Sequence, residues 1–366
     1  MTDLPDCWLE AEVAQERPTS PGGHQCAFPH PYRTVAMLFQ KAWPAPMKRR
    51  EFITLLGGAA AGWPLATHAQ QRLHVVGILA PQSAVPLERF ERQLRNYGYM
   101  DGQNVRFLRR FAEGHEDRYP AMAAELVALP VDLIVTWGTT AALAAKQATN
   151  SIPVVMGAIA DPVSVGIVPN LAHPNANITG FATQNVDLDV KRLELLKDLV
   201  PHLSRVGMLV NGANPVSASS LRVLRPTADR LHIELDIFDA SSGEIESTLQ
   251  RLKNAQPDGV LVAPDLLLLT QRGRIADFFA NNKLPAVYPF REYAEVGGLL
   301  IHGANLGILF ERAADYVDRI LKGAKPADLP VQLATEFELI INVKAAAGIG
   351  LVVPPTLISR ADEVIE

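Results

Sequence analysis

From His74 onward, short apolar runs alternate with longer stretches whose apolar residues return every three or four positions. The first run, HVVGIL at 74–79, is too short for a helix and apolar throughout, which predicts a buried strand. The stretch after it opens at Pro86, sets Leu87, Phe90, Leu94 and Tyr97 on one helical face, and reaches Gly98, a residue that readily ends a helix. NVRFLRRF at 104–111 instead alternates, with Val105, Phe107 and Phe111 on one side of a strand. A helix from Pro120 carrying Met122, Leu126 and Leu129 follows, then the strand VDLIVTW at 131–137, a helix over about 140–148 and the strand PVVMGAI at 153–159.

ITGFA at 178–182 precedes a second series of the same kind. The helix DVKRLELLKDLV (189–200) leads to the strand RVGMLV (205–210), and a helix with Leu221, Leu224, Ala228 and Leu231 leads to ELDIFDA (234–240). Helices around Ile245, Leu249 and Leu252 and around Ile275, Phe278 and Phe279 lead to GVLVAP (259–264) and PAVYPF (285–290). GLLIHG (298–303) and a long amphipathic helix through Leu309, Ala313, Tyr316, Val317 and Ile320 to Gly323 come next. Two successive units of similar size predict an α/β fold of two doubly wound parallel-sheet lobes facing each other across a cleft. In open sheets of this type, ligands bind beyond the carboxyl ends of the strands.

The stretch before His74 follows a different rule. MKRREFITLLGG, beginning at Met47, has a basic head (Lys48, Arg49, Arg50), an apolar segment from Phe52 to about Ala66, and a small-residue exit at Thr67-His68-Ala69. That is the anatomy of a secretory signal over 47–69, cleaved after about Ala69, and the paired arginines before Phe52 fit the twin-arginine pattern. Gly57, Gly58, Gly62 and Pro64 disfavour a buried or anchoring helix there. Residues 1–46, rich in Pro and Gly, are then expected to be an unfolded extension outside the native protein, with Met47 as the true start. Both cysteines, Cys7 and Cys26, fall in that extension. A mature chain from Gln70 would offer no disulfide, no thiol chemistry and no lipidated cysteine, and would be a free periplasmic protein.

Composition narrows the function classes. A length of 366 residues accommodates two domains, and a net charge of −5 without any basic block argues against nucleic acid as a partner. No GxSxG, P-loop, HExxH or helix-opening GxGxxG occurs, so no catalytic residue and no cofactor is expected. His74, His115, His173, His202, His232 and His302 are scattered, with no close metal-ligand spacing. Candidate chemistry therefore sits in the strand-end loops. In TWGTTAALAA (136–145), Gly138 permits a tight turn, and Thr139 and Thr140 open a helix whose free NH groups suit a carboxylate; alternatively Thr139 only caps the helix. Asp161 in GAIADPVSVG either caps a turn or holds a ligand's ammonium or hydroxyl, and Gln82 and Ser83 stand after the first strand, Ser83 as ligand contact or cap. Asn211 in NGANP and Asp265 in APDLLLLTQR end equivalent strands of the second unit, Asp265 being the preferred ammonium partner. YPFREYAEVGG adds Tyr288, Arg291, Glu292 and Tyr293, lining the cleft or, for the aromatics, filling the core.

RREFITLLGGAAAGWPLATHAQ, GTTAALAAKQATNSIPVVMGAIADPV, NITGF, KRLELLKDLVP, LPAVYPFREYAEVGGLL and the tail from KPADLPVQ to ISRADEVI, in this order, resemble the ABC-transporter substrate-binding proteins of the tryptophan/tyrosine type. The resemblance runs from Met47 to the C-terminus. It implies a type I periplasmic binding protein: two lobes joined by a multi-segment hinge, a ligand held between them, and delivery to an ABC permease in the inner membrane. The lobes it implies are 72–183 plus about 302–325, and 184–301 plus about 326–366, in a monomer. It also implies that Thr139 and Thr140 receive a carboxylate, that Asp161 and Asp265 contact polar groups from either lobe, and that Tyr288 offers a stacking face. Phe181-Ala182-Thr183 stands where amino-acid-binding relatives often carry Ser-Asp. The implied ligand is thus an amino acid, an aromatic acid or another small carboxylate. A periplasmic sensory module shares these sequence features, whereas an exported enzyme on the same fold would need a reactive constellation in the cleft.

Overall fold

The computed structural model describes residues 72–82, 85–174, 177–241 and 245–366. The expected signal segment at 47–69, the extension expected before it, both cysteines and Ser83 lie outside the described residues. In the first half of the chain, β1 (His74–Ala80), β2 (Val105–Phe111), β3 (Leu133–Trp137), β4 (Val154–Ile159) and β5 (Ile178–Ala182) pair in parallel in the order β2-β1-β3-β4-β5. Helices α1 (Val85–Asn96), α2 (Tyr119–Ala128) and α3 (Thr139–Ala148) make the crossovers. β3 and β4 are buried at every residue, as strands covered on both faces must be, whereas β2 lies at an edge and is only partly covered. Leu87, Phe90 and Leu94 of α1 join Val76, Ile78 and Val135 on one face, while Tyr119, Ala123 and Leu126 of α2 and Ala141 and Ala145 of α3 join Leu79, Ile134 and Met156 on the other.

The second half repeats the arrangement. β6 (Arg205–Val210), β7 (Glu234–Asp239), β8 (Gly259–Val262), β9 (Ala286–Tyr288) and β10 (Leu300–Ala304) pair in parallel in the order β7-β6-β8-β9-β10. α4 (Asn185–Leu199) leads into β6, and α5 (Val216–Arg230), α6 (Ile245–Asn254), α7 (Leu266–Thr270) and α8 (Arg272–Asn281) lie between successive strands from β6 to β9. Beyond β10, α9 (Leu306–Leu321) returns to the first lobe, packing on α1, β4 and β5, and β11 (Gln332–Leu333) adds a parallel strand beside β5. The chain then crosses back. β12 (Phe337–Asn342) runs antiparallel to β10, and β13 (Glu363–Ile365) lies parallel to β12 after α10 (Val343–Gly348) and α11 (Pro355–Ile358).

The two doubly wound lobes expected from the sequence are present, and three crossings join them, after Ala182, at Asn305 and between Leu333 and Phe337. The return excursion differs from its expected limits of 302 and 325. His302 is a β10 residue paired with Leu339, and Gln332 pairs with Phe181 of the first sheet, so the excursion runs from Leu306 to Leu333. Two apolar residues also fall outside their expected helical faces. α1 ends at Asn96, leaving Tyr97 40% exposed with its hydroxyl donating to Asp315 at 2.6 Å, and Leu129 sits beyond the last turn of α2 in extended backbone.

Candidate functional site

In each sheet the strand order reverses at the second strand position: connections leave β1 and β3 in opposite directions, as they do at β6 and β8. Such a switch point opens a crevice at the strands' carboxyl ends. The segments after β1 (Pro81, Gln82), at the end of β3 (Trp137) and after β8 (Leu266, Leu269) line one cavity between the lobes, joined by Leu306 and Phe310 from α9. Its free volume is about 40 Å³.

The walls of this cavity are apolar: Leu87, Trp137, Leu266, Leu269, Leu306 and Phe310. Trp137 is 4% exposed and meets the rings of Phe310 and Phe90 edge-on at 4.1 and 5.3 Å. Its six-membered ring occupies the space above Gly157, where a Cβ would come within 1.9 Å of Cζ3, so only glycine lets the indole lie flat on the sheet. Among these apolar groups stand Arg272, Glu292 and Gln82. Trp137 Nε1, Arg272 Nε and Glu292 Oε2 are all buried without a hydrogen-bond partner. Burial pushes the Glu292 carboxyl above the ordinary range, reinforced by the Glu295 charge and opposed by Arg272. Two donors and one acceptor thus remain unsatisfied at a small apolar chamber, a chemistry that a ligand with an anionic end, a cationic end and an apolar body completes.

Beside this chamber the lobes are tied together. Glu116, on a 3₁₀ turn (Glu116–Arg118) between β2 and α2, accepts from Thr140 Oγ1 through Oε1 and from Asn211 Nδ2 of the other lobe through Oε2, both at 2.7 Å. Asn211 Nδ2 also donates to Asp265 Oδ2 at 3.1 Å, and Asn214 Nδ2 reaches the same oxygen at 2.8 Å. Asp265 Oδ1 caps α7 by accepting from Leu268 N at 3.0 Å. Gly138 has φ of 90°, and a Cβ there would lie 3.2 Å from Leu266 Cδ1, so the turn after β3 and the turn after β8 face each other across the gap. An opening of about 370 Å³, lined by residues that include His115, Glu116, Thr140, Ala213, Ser241 and Leu267, adjoins this seam.

The residues singled out from the sequence separate into groups. Gln82 and Glu292 line the chamber. Gly138, Thr140, Asn211 and Asp265 build the seam, where Asp265 spends its oxygens on Asn211, Asn214 and the α7 cap. Thr139 is buried in the first turn of α3 and is not its cap, a position held by Gly138. Asp161 lies at a second interlobe contact, capping its own turn by accepting from Ser164 N at 3.1 Å, while Ser164 and Ser219 hydroxyls meet across the lobes at 3.3 Å and Val165 packs with Val216. Tyr288 is a core residue rather than a stacking face, 2% exposed and stacked on Tyr293 at 4.5 Å. Arg272, Trp137, Glu116, Leu266 and Phe310 were not expected as site residues. Arg272 closes the quoted APDLLLLTQR segment and Trp137 ends a strand at the switch point, which are the signals that mark them.

Among the described residues no helix is long and apolar enough to cross a membrane, and no group of His, Cys, Asp and Glu is placed to hold a metal ion. A curated relative, the tyrosine-binding protein of Clostridioides difficile strain R20291, is 28% identical over 254 residues, covering 69% of this chain and 73% of that protein. A solved Streptococcus pneumonia ABC domain in complex with L-Trp superposes with a TM-score of 0.73 at 28% identity, covering 80% of this chain and all (100%) of that one. A conserved domain protein from Vibrio cholerae gives a TM-score of 0.74 at 26% identity, with 80% and 100% coverage. The family model described as ABC transporter substrate binding protein matches residues 86–365. With two doubly wound lobes closed around a chamber of unsatisfied donors and acceptors, this chain belongs to the ABC transporter substrate-binding proteins, on the type I periplasmic binding protein fold.

Proposed function

We propose that this protein is the extracytoplasmic receptor of an ABC importer, capturing a small solute by hinge closure and delivering it to the permease. The solute carries a carboxylate and an apolar, aromatic-sized body, and an amino acid of this kind fits best. The observation that carries this reading is the set of unpartnered atoms around the chamber: Arg272 Nε, Glu292 Oε2 and Trp137 Nε1, each buried beside apolar walls from both lobes. The solute's carboxylate pairs with Arg272, its ammonium with Glu292, and its ring lies among Leu87, Trp137, Leu269 and Phe310. The related proteins named for tyrosine and solved with L-Trp support that assignment.

Closure follows from the same contacts. A ligand shifts an open–closed equilibrium only by its differential affinity for the closed form, and here the chamber exists only when the loops after β1, β3 and β8 meet. A solute lacking one charged end leaves a buried group unpaired, at about 1–3 kcal/mol, which gives selectivity. The test is a thermal-shift screen with L-tryptophan, L-tyrosine, other amino acids and aromatic acids. A binder at about 100 times its Kd adds about 2.7 kcal/mol. Arg272→Ala and Glu292→Ala should each abolish most of that gain, and full retention in both would remove the site.

A further inference from the structure

We propose that the lobes are held shut by a proton-sensitive latch, in which Glu116 of the first lobe takes up a proton as it docks on Asn211 and Asp265 of the second. This inference rests on the closure proposed above but is independent of which solute is captured. Its basis is geometric. One amide group, Asn211 Nδ2, donates at once to Glu116 Oε2 and to Asp265 Oδ2, so closing the lobes brings two carboxylates to a single donor group. Among the described residues no lysine or arginine forms an ion pair with either carboxylate.

The two acids are not equivalent. Asp265 is 4% exposed and its oxygens accept from Leu268 N, Asn211 and Asn214, which leaves no acceptor for a proton of its own. Glu116 is only half-buried, and its Oε1 lies 2.7 Å from Thr140 Oγ1, a hydroxyl that can accept as readily as it donates. A proton from solvent on Glu116 Oε1 therefore reverses that one bond and leaves the Asn211 bond across the lobes intact. Burial, followed by the Asp265 charge, pushes the Glu116 carboxyl above the ordinary range in the closed form. Opening separates it from Asp265 and rehydrates it, lowering its proton affinity. Closed protein consequently binds more protons than open protein, and closure strengthens as pH falls.

Other titratable groups stand nearby. His115, Asp117 and Arg118 share the 3₁₀ turn, Tyr119 heads α2, and Asp239 at the end of β7 accepts from Gly212 N next to Asn211. His115 lines the same opening, so the test must separate its contribution from that of Glu116.

Spin labels at Ala124→Cys on α2 and Gln250→Cys on α6, both exposed, report the lobe separation in the full chain with Cys7→Ser and Cys26→Ser. No solute is added. Between pH 8 and pH 5 the ratio of short to long distances should rise, by up to about tenfold per pH unit where Glu116 alone titrates. Glu116→Gln, an isostere of the protonated acid, should favour the short distance at pH 8 and respond little to pH. A wild-type distribution unchanged across the range overturns the proposal, and so does an undiminished response in Glu116→Gln, which would assign the effect to His115 or another group. Failure of every amino acid in the thermal-shift screen would count against the solute assignment and leave this measurement unaffected.

Discussion

Glu292→Met should make the empty protein more stable while removing its response to solute. Glu292 belongs to the 3₁₀ turn Arg291–Val296 of the second lobe, and its Oε2 is buried without a partner beside Leu269 and Phe310. An unsatisfied buried acceptor costs about 1–3 kcal/mol, and methionine matches the length of glutamate while offering only apolar and weakly accepting atoms. At roughly 2–4 °C per kcal/mol for a body of this size, the melting temperature near neutral pH should rise by a few degrees to about ten. The sign of the pH dependence follows from burial. Glu292's carboxyl is raised in the folded form, so the native state takes up its proton at higher pH than the unfolded chain does. The wild-type penalty is therefore full above the raised value and fades as pH falls through it, and the variant's advantage shrinks with acid. Differential scanning calorimetry at neutral pH and near pH 5, with and without L-tryptophan, measures all three quantities. A variant less stable than wild type at neutral pH, or one whose advantage grows in acid, refutes the idea that an idle carboxylate is stored there for a ligand.

Gly157→Ala places a methyl group 1.9 Å from Trp137 Cζ3 and 2.1 Å from Cε3, so the indole must leave the chamber wall. Overpacking of this kind costs about 1–3 kcal/mol, read as a lower urea midpoint together with a smaller solute-induced shift; an unchanged midpoint would mean that Trp137 is not held against the sheet. His302, half-buried on β10 opposite Leu339 of β12, desolvated and close to the Arg192 charge, should titrate at about 4 rather than near 6.5 in a two-dimensional NMR series. Because its folded value is depressed, its contribution to stability is lost as pH falls from the ordinary histidine value through about 4, and His302→Gln should blunt that loss.

Much of the fold was legible because the central strands are short apolar runs, β2 at the edge alternates, and the longer crossover helices carry a period of three to four. Some elements that escaped are too short to carry a period, namely the three-residue turn at Glu116–Arg118, the five-residue α7 and the two-residue β11, and the tail elements β12, α10, α11 and β13 went unread as well. The crossing limits were misplaced for a related reason, since no local pattern says which sheet edge Gln332–Leu333 will join. Within the site, Asp265 was recognisable as a strand-end acid, but its commitment to two asparagines depends on NGANP folding against it. Tyr288 was ambiguous between cleft and core, and stacking on Tyr293 decided it. Arg272 and Trp137 acquire meaning only when opposite lobes meet, a relation that spacing along one chain does not encode.

The late return of the chain to its first sheet has a cost during synthesis. Trp137, itself against Phe90, is covered by Phe310, and α1 packs on α9, so the first lobe exposes that greasy face until α9 is made, well over a hundred residues after β5 ends. At ribosomal speeds of about 5–20 residues per second, this is a delay on the order of ten seconds. A nascent or truncated product ending near residue 183 should behave as a sticky, holdase-dependent species rather than as a self-sufficient half.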